Sequence, residues 1–326
     1  MQKKIRFGVL GASRIAKKAA IPAIVDSEYA ELAMVGTRSP EKASDLSVPT
    51  GTYEDVLSSK DVDAVYISLP NSLHEEWTVK AAEAGKHVWC EKPAALSYES
   101  AERMIAAAQK NNVRLMEGFM FLHHPQHAKV LEIIKSGVLG EITSFEGRFA
   151  YPMPDAGNIR LEAELGGGIY NDALVYPIRA SRFVFGEEPG SILCNLTMDP
   201  TLGVDVKAEA TLTYSGGRTA SISSAFDPDY RSTYRVIGTK GSLIMERAYA
   251  VPKDMPVKIF IERGNTQEEI LIEPADHFRL MIDDFCKEVA SEARTKDYEN
   301  DLLSQAKILD AGRKSDNQQR IVEIVK

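Results

Sequence analysis

Residues 5–16, Ile5-Arg6-Phe7-Gly8-Val9-Leu10-Gly11-Ala12-Ser13-Arg14-Ile15-Ala16, decide how this chain folds. The run from Ile5 to Leu10 lacks polar alternation, as a strand covered on both faces does, and it breaks at a glycine before a helical pattern begins. That order of strand, turn and helix is the context a dinucleotide fingerprint requires. Gly11 permits the tight turn, and Ala16 is small enough at the third position for helix and strand to approach. Ser13 stands where a second glycine normally admits the pyrophosphate. The same residues also suit an ordinary strand-turn-helix, so the rest of the domain must arbitrate.

Working outward, the pattern repeats. Leu32–Thr37, Ala64–Leu69, His87–Cys90 and Arg114–Gly118 read as further buried strands, and helical patterns cover Arg14–Val25, Leu73–Ala84 and Tyr98–Lys110. Gly85 is placed to stop the second of these helices. Such β-α-β alternation predicts a doubly wound parallel sheet with right-handed crossovers over residues 1–121. Beyond it the texture changes. Helices are predicted at Pro125–Ser136 and Asn171–Phe185, then strands with period-two alternation and GG or KG turns from Ile192 to Ile272. Helices at Asp276–Glu292 and Asp301–Arg313 close the chain. Residues 122–326 are thus expected to form a second, α+β domain with a large, mostly antiparallel sheet.

A chain of 326 residues is long enough for two such domains, at about 150 residues each. Hydrophobic residues at 44% and charged ones at 26% are ordinary for a globular protein. The net charge of -8 argues against a nucleic-acid surface. Cys90, Cys194 and Cys286 are widely spaced and form no zinc pattern, so they read as reduced thiols of a cytoplasmic protein. No run reaches the roughly 18 apolar residues of a membrane span, and the amino terminus reads as a first strand rather than a signal peptide.

The second strand selects the cofactor. A site for NAD ends this strand with an acidic residue on the ribose 2'-hydroxyl, whereas Gly36-Thr37-Arg38-Ser39 offers a guanidinium and two hydroxyls suited to a 2'-phosphate. NADP is therefore expected. A solvated loop arginine is the alternative. Gly11, Ser13, Arg14 and Ile15 would line the cofactor from the first turn, Thr37, Arg38 and Ser39 from the second strand, and Leu69, Pro70, Asn71 and His74 from the third. Asn71 or Ser72 can alternatively be a helix cap. Glu91 and Lys92 of Glu91-Lys92-Pro93 complete the set: they sit at the carboxyl end of a strand, where doubly wound sheets bind ligands. Lys92 is also the first catalytic candidate. Leu165-Gly166-Gly167-Gly168-Ile169-Tyr170-Asn171-Asp172-Ala173-Leu174-Val175-Tyr176 supplies two more. Asp172 and Tyr176, at i and i+4, share a face of an α-helix. A core tyrosine satisfied by Asp172 is the plainer reading of this pair alone.

GASRIA, LPNSLH, EKP, FMFLHHPQ and GGGxxxDxxxY, in this order, resemble the Gfo/Idh/MocA oxidoreductases, and the likeness in organisation covers the whole chain. LMEGFMFLHHPQHAKV and VYPIRA look most like the NADPH-dependent nucleotide-diphosphohexose 3-ketoreductases of deoxysugar biosynthesis. The resemblance implies a Rossmann domain followed by an α/β domain with an open antiparallel sheet. It also implies a catalytic or substrate-orienting Lys92, Asp172 as a substrate contact and Tyr176 as proton donor, in a homodimer or homotetramer. Histidine is frequent in the family where Tyr176 stands, and glycine where Leu174 stands. A sugar or nucleotide-sugar substrate would draw on Phe121, His124, Gln126, Arg160 and Tyr234, with His123 and Arg148 as further polar groups and Phe149 or Tyr151 as stacking faces. The histidines at 123, 124 and 127 lack a carboxylate partner, so no metal is assigned. The alternatives are a dehydrogenase of a free sugar, inositol or dihydrodiol, and an NADP-binding sensor or scaffold.

Overall fold

The computed structural model describes residues 4–291 and 294–324, which separate into two compact units: 4–120 with 277–291 and 294–303, and 121–276 with 304–324. In the first unit six parallel strands lie in the order β3-β2-β1-β4-β5-β6. They are β1 (Ile5–Leu10), β2 (Ala30–Gly36), β3 (Thr50–Gly51), β4 (Ala64–Ile67), β5 (His87–Cys90) and β6 (Leu115–Glu117). The order reverses between β1 and β4, which opens a crevice at the carboxyl ends of the strands. All four residues of β4 and Phe7, Val9 and Leu10 of β1 are buried, as apolar runs without alternation require.

The helix after β1 opens at Arg14 and passes through a π turn, Ala16–Ala20, before the regular α1 (Ile21–Asp26), where an uninterrupted helix is expected. Helix α2 (Tyr53–Ser58) is not legible from apolar periodicity; it is started by a capping box in which Thr52 and Asp55 bind each other's backbone N–H. Helices α3 (His74–Glu83) and α4 (Tyr98–Lys110) follow the expected pattern.

The second unit is built on a nine-stranded sheet in the order β14-β13-β12-β11-β7-β10-β9-β8-β15. Its strands are β7 (Ile142–Tyr151), β8 (Ser191–Met198), β9 (Asp205–Thr213), β10 (Thr219–Phe226), β11 (Arg231–Gly238), β12 (Ser242–Met245), β13 (Val257–Arg263), β14 (Thr266–Ile272) and β15 (Val322–Glu323). The pairs are antiparallel except β7 with β10. Alternation along β7 buries Phe145, Gly147 and Phe149 and exposes Glu146 and Arg148. Helices α5 (Pro125–Lys135) and α6 (Val175–Phe185) belong to this unit, and α6 packs on β7 and β10.

The expected division into 1–121 and 122–326 needs correction at the carboxyl end. Helix α7 (His277–Ala290) returns to the first unit, setting Phe285 6.3 Å from Phe7 and Phe278 6.3 Å from Trp89. Asp283 accepts a hydrogen bond from Ser27 at 2.5 Å. Arg114, 3% exposed, binds Glu288 at 2.9 Å and Glu299 at 3.0 Å. Burial opposes ionisation of Glu288, but hydrogen bonds from the Lys296 N–H, Thr295 and Arg114 outweigh it and hold the carboxyl below its usual range. Helix α8 (Tyr298–Gln318) contains the boundary at 303/304. Glu292, the expected end of α7, lies outside the described residues. No described helix is long and apolar enough to cross a membrane.

Candidate active site

At the carboxyl edge of the first sheet, Gly11 has φ +97°, and a Cβ there would sit 2.9 Å from the Leu69 side chain and 3.2 Å from the Ser68 carbonyl oxygen. Only glycine fits that turn. Ser13, in place of the second glycine, accepts a hydrogen bond from the Ala16 N–H at 3.1 Å and so starts the helix. Arg14 and Ile15 are exposed. After β2, the Thr37 hydroxyl donates to the Ser39 carbonyl at 3.2 Å and accepts from the Ser39 N–H at 3.1 Å. This small turn leaves Arg38 exposed, with no salt bridge among the described residues. Asn71–Leu73 forms one 3-10 turn ahead of α3, and the N-cap positions of turn and helix are Pro70 and Leu73.

The Glu91-Lys92-Pro93 loop, whose Lys92–Pro93 peptide is cis, is braced through its neighbours. Tyr66 donates to Glu91 Oε1 at 2.8 Å. The Ala94 N–H donates to Glu117 Oε1 at 2.9 Å. His74 is fully buried, with Nδ1 2.8 Å from the Pro93 carbonyl oxygen and Nε2 2.9 Å from that of Leu69. Burial lowers its pKa, although both carbonyls favour the protonated ring. His74, expected as a cofactor contact, braces the two loops through both ring nitrogens. Tyr66 and Glu117 are not singled out by the sequence: Tyr66 sits inside an apolar run, and Glu117 lies in the LMEGFMFLHHPQHAKV stretch without a local signal of its own.

In the second unit the three glycines permit close approach of chain segments. Gly168 has φ +96°, and a Cβ there would come within 2.1 Å of Asp205 Oδ1. The other Asp205 oxygen accepts from the Tyr170 N–H at 2.6 Å. Burial raises the pKa of this carboxyl while the Tyr170 bond opposes the rise. Asn171 donates to the Gly166 and Gly167 carbonyls at 3.1 Å and accepts from Arg313 at 2.6 Å. Tyr170–Leu174 is a π turn leading into α6, so the α-helical i,i+4 superposition of Asp172 on Tyr176 does not apply as expected. π turns recur at functional sites.

Asp172 Oδ2 accepts from Arg160 Nε at 2.8 Å and from the Tyr151 hydroxyl. The charge of Asp172 raises the pKa of Arg160 against the effect of burial, while burial, ahead of that same charge, raises that of Tyr151. Tyr176, 5% exposed, lies among Phe149, Phe121 and Tyr249 at ring separations of 5.2, 5.8 and 5.8 Å.

Four expected substrate contacts are core residues. Tyr234 is 2% exposed and lies with its hydroxyl 3.1 Å from His127 Nδ1. Gln126 is fully buried and donates to the Arg247 and Ala248 carbonyls at 3.0 and 3.4 Å. His124 caps α5, accepting from the Gln126 N–H at 3.3 Å. Phe121 is fully buried beside His127 and Tyr249. Phe121 lies 5.8 Å from Tyr176, and Tyr234 lies 6.3 Å from Tyr249. Of the substrate candidates, Arg160 and Asp172 are directly joined. Cys90, Cys194 and Cys286 are buried and free, and burial pushes Cys194 and Cys286 up to about 12.

Residues 5–119 match the oxidoreductase family model with an NAD-binding Rossmann fold, and residues 127–244 match the GFO/IDH/MocA C-terminal domain. The chain belongs to the GFO/IDH/MocA oxidoreductases. Among family relatives, the chain is 36% identical to dTDP-3,4-didehydro-2,6-dideoxy-alpha-D-glucose 3-reductase of Actinomadura kijaniata, covering 95% of each chain. The crystal structure of a 3-ketoreductase from Actinomadura kijaniata with NADP and TDP-benzene superposes with a TM-score of 0.92 at 35% identity, covering 96% of this chain and 98% of that one. An NADP-linked D-xylose 1-dehydrogenase of Haloferax volcanii is 32% identical over 94% of this chain and 95% of its own. As a GFO/IDH/MocA member the chain is an oxidoreductase with an NAD(P)-binding Rossmann domain.

Proposed function

We propose that this chain is an NADPH-dependent ketoreductase acting on the keto group of a nucleotide-linked hexose. The residues at the first sheet fit the cofactor: Gly11 forms the turn, β2 ends without a carboxylate, and Arg38 is exposed and unspent. Gly11, Ser13, Arg14 and Ile15 would hold the pyrophosphate side, Thr37, Arg38 and Ser39 the 2'-phosphate, and Leu69, Pro70, Asn71, Glu91 and Lys92 the nicotinamide side. When bound, NADPH supplies the hydride. Tyr176 donates its phenolic proton to the carbonyl oxygen as negative charge develops there. A phenol, with an ordinary pKa near 10, is a weak acid for this task; the Lys92 ammonium stabilises the charge left behind or the oxygen itself. Asp172, oriented by Arg160 and Tyr151, accepts a hydrogen bond from a sugar hydroxyl and exchanges no proton.

One observation carries this reading. The Actinomadura kijaniata 3-ketoreductase was also crystallised as a tyrosine-to-phenylalanine mutant and, separately, as a lysine-to-alanine mutant. Those two positions lie as far apart in that chain as Lys92 and Tyr176 do here. The xylose dehydrogenase relative supports a second reading, oxidation of a free sugar by the same groups in reverse. We also propose a homodimer or homotetramer formed through the outer face of the nine-stranded sheet, where Leu193 and Leu271 are 37% and 54% exposed.

Titration of NADPH and NADH into wild type and Arg38→Ala tests the cofactor assignment. A preference for NADPH that collapses in the variant is expected; equal affinities in the wild type contradict it. Reduction of a dTDP-linked 3-keto-hexose, set against oxidation of D-xylose, separates the two substrate readings.

A further inference from the structure

The aromatic lining at Tyr176 continues within the second unit to an arginine. Phe149, 5.2 Å from Tyr176, is 6.3 Å from Tyr230, and the Arg247 guanidinium lies over the Tyr230 ring at 4.8 Å. Tyr230 is 36% exposed, and its hydroxyl donates to the Ala250 carbonyl at 3.4 Å. The backbone of Arg247 is fixed: its carbonyl accepts from Gln126 at 3.0 Å, and the next N–H, of Ala248, binds the Ser232 carbonyl at 2.6 Å. Neighbouring arginines are spent on carboxylates, Arg148 on Asp227, Arg231 on Asp229 and Arg160 on Asp172. Arg247 forms no salt bridge among the described residues.

A guanidinium is a planar fork of N–H donors, the geometry that suits phosphate oxygens, and a tyrosine ring beneath it attracts the cation and restrains it. On a chain of net charge -8, an anionic substrate needs such a fixed local cation. We propose that Arg247, stacked on Tyr230, grips the diphosphate of a nucleoside-diphosphate sugar. This inference rests on the nucleotide-sugar reading above and names the anchor that reading lacks. Three contact steps within the second unit separate Tyr176 from the cation. The uncharged part of the ligand would then follow the aromatic strip, and the charge would end on the arginine.

The test is calorimetric titration of dTDP, UDP and thymidine into the full chain saturated with NADP, as wild type, Arg247→Gln, Arg247→Lys and Tyr230→Leu. The wild type is expected to bind the diphosphates. Arg247→Gln should weaken them at least tenfold, Arg247→Lys less, and Tyr230→Leu severalfold, while thymidine and NADP affinities stay level and show that the variants are folded. Equal dTDP affinity in wild type and Arg247→Gln overturns this anchor alone. A wild type that ignores both diphosphates yet reduces free keto-sugars overturns the nucleotide-sugar reading and the anchor with it.

Discussion

The two units hold their reactive groups by different physics. In the first, the loop carrying Lys92 is fixed by hydrogen bonds to its backbone and flanking side chains, from His74, Tyr66 and Glu117. In the second, Tyr176 is packed among aromatic rings, and Asp172 is gripped by Arg160 and the Tyr151 hydroxyl. Polar braces fail abruptly when one partner is lost, because the other is left buried and unpaired. Aromatic packing fails by degrees, as contact area is lost. The first unit should therefore be the brittle one.

The largest effect is expected at Arg114. Arg114→Ala leaves Glu288 buried without its cation and should cost about 3–5 kcal/mol, read as a lower denaturant midpoint for unfolding of the first unit. An unchanged midpoint would break the contrast. Acid should act next. Burial, then the charges of Arg114 and Arg294, lower the pKa of His87 to about 4 from its ordinary 6.5. The folded state thus favours the neutral ring; its contribution is fully present above pH 6.5 and is lost as pH falls toward 4. At about 1.4 kcal/mol per unit this amounts to roughly 3 kcal/mol. Unfolding measured across that window should show the loss, and His87→Gln should flatten it.

Sequence patterns had local reach. Ile5–Leu10, His87–Cys90 and Tyr98–Lys110 were legible to the residue because their period and flanking turns lie within the elements themselves. Lys92, Asp172 and Tyr176 could be singled out because each sits beside an unusual local signal, a proline or a glycine run. The return of α7 to the first unit is not legible, since Arg114 meets Glu288 and Glu299 only after the chain has run through eight of the nine strands of the second sheet. Tyr234 and Gln126 are expected as substrate contacts for a related reason: a polar residue on a strand or helix does not reveal that it will meet His127, or donate to the Arg247 and Ala248 carbonyls, in the core.

Two smaller effects sharpen the contrast. Glu117→Ala strips the Ala94 N–H of its acceptor, and the loss should be about 1–3 kcal/mol with weakened NADPH binding; Glu117→Gln, which keeps an acceptor oxygen, should restore most of it. Tyr249→Phe removes only the 3.3 Å bond to the Thr233 carbonyl and leaves the ring cluster in place. Its cost should stay near 0.5–1.5 kcal/mol, with KM unchanged. A larger loss would show that the ring cluster around Tyr176 also depends on polar braces.

The most direct test of the account is turnover of a dTDP-linked 3-keto-hexose by wild type, Lys92→Ala and Tyr176→Phe, followed by loss of NADPH absorbance, with NADPH affinity measured on the same samples. Each variant should lose about 10²–10⁴-fold in kcat while still binding the cofactor. Near-normal kcat in Tyr176→Phe would remove the tyrosine as proton donor, and near-normal kcat in both would contradict the assignment of this site.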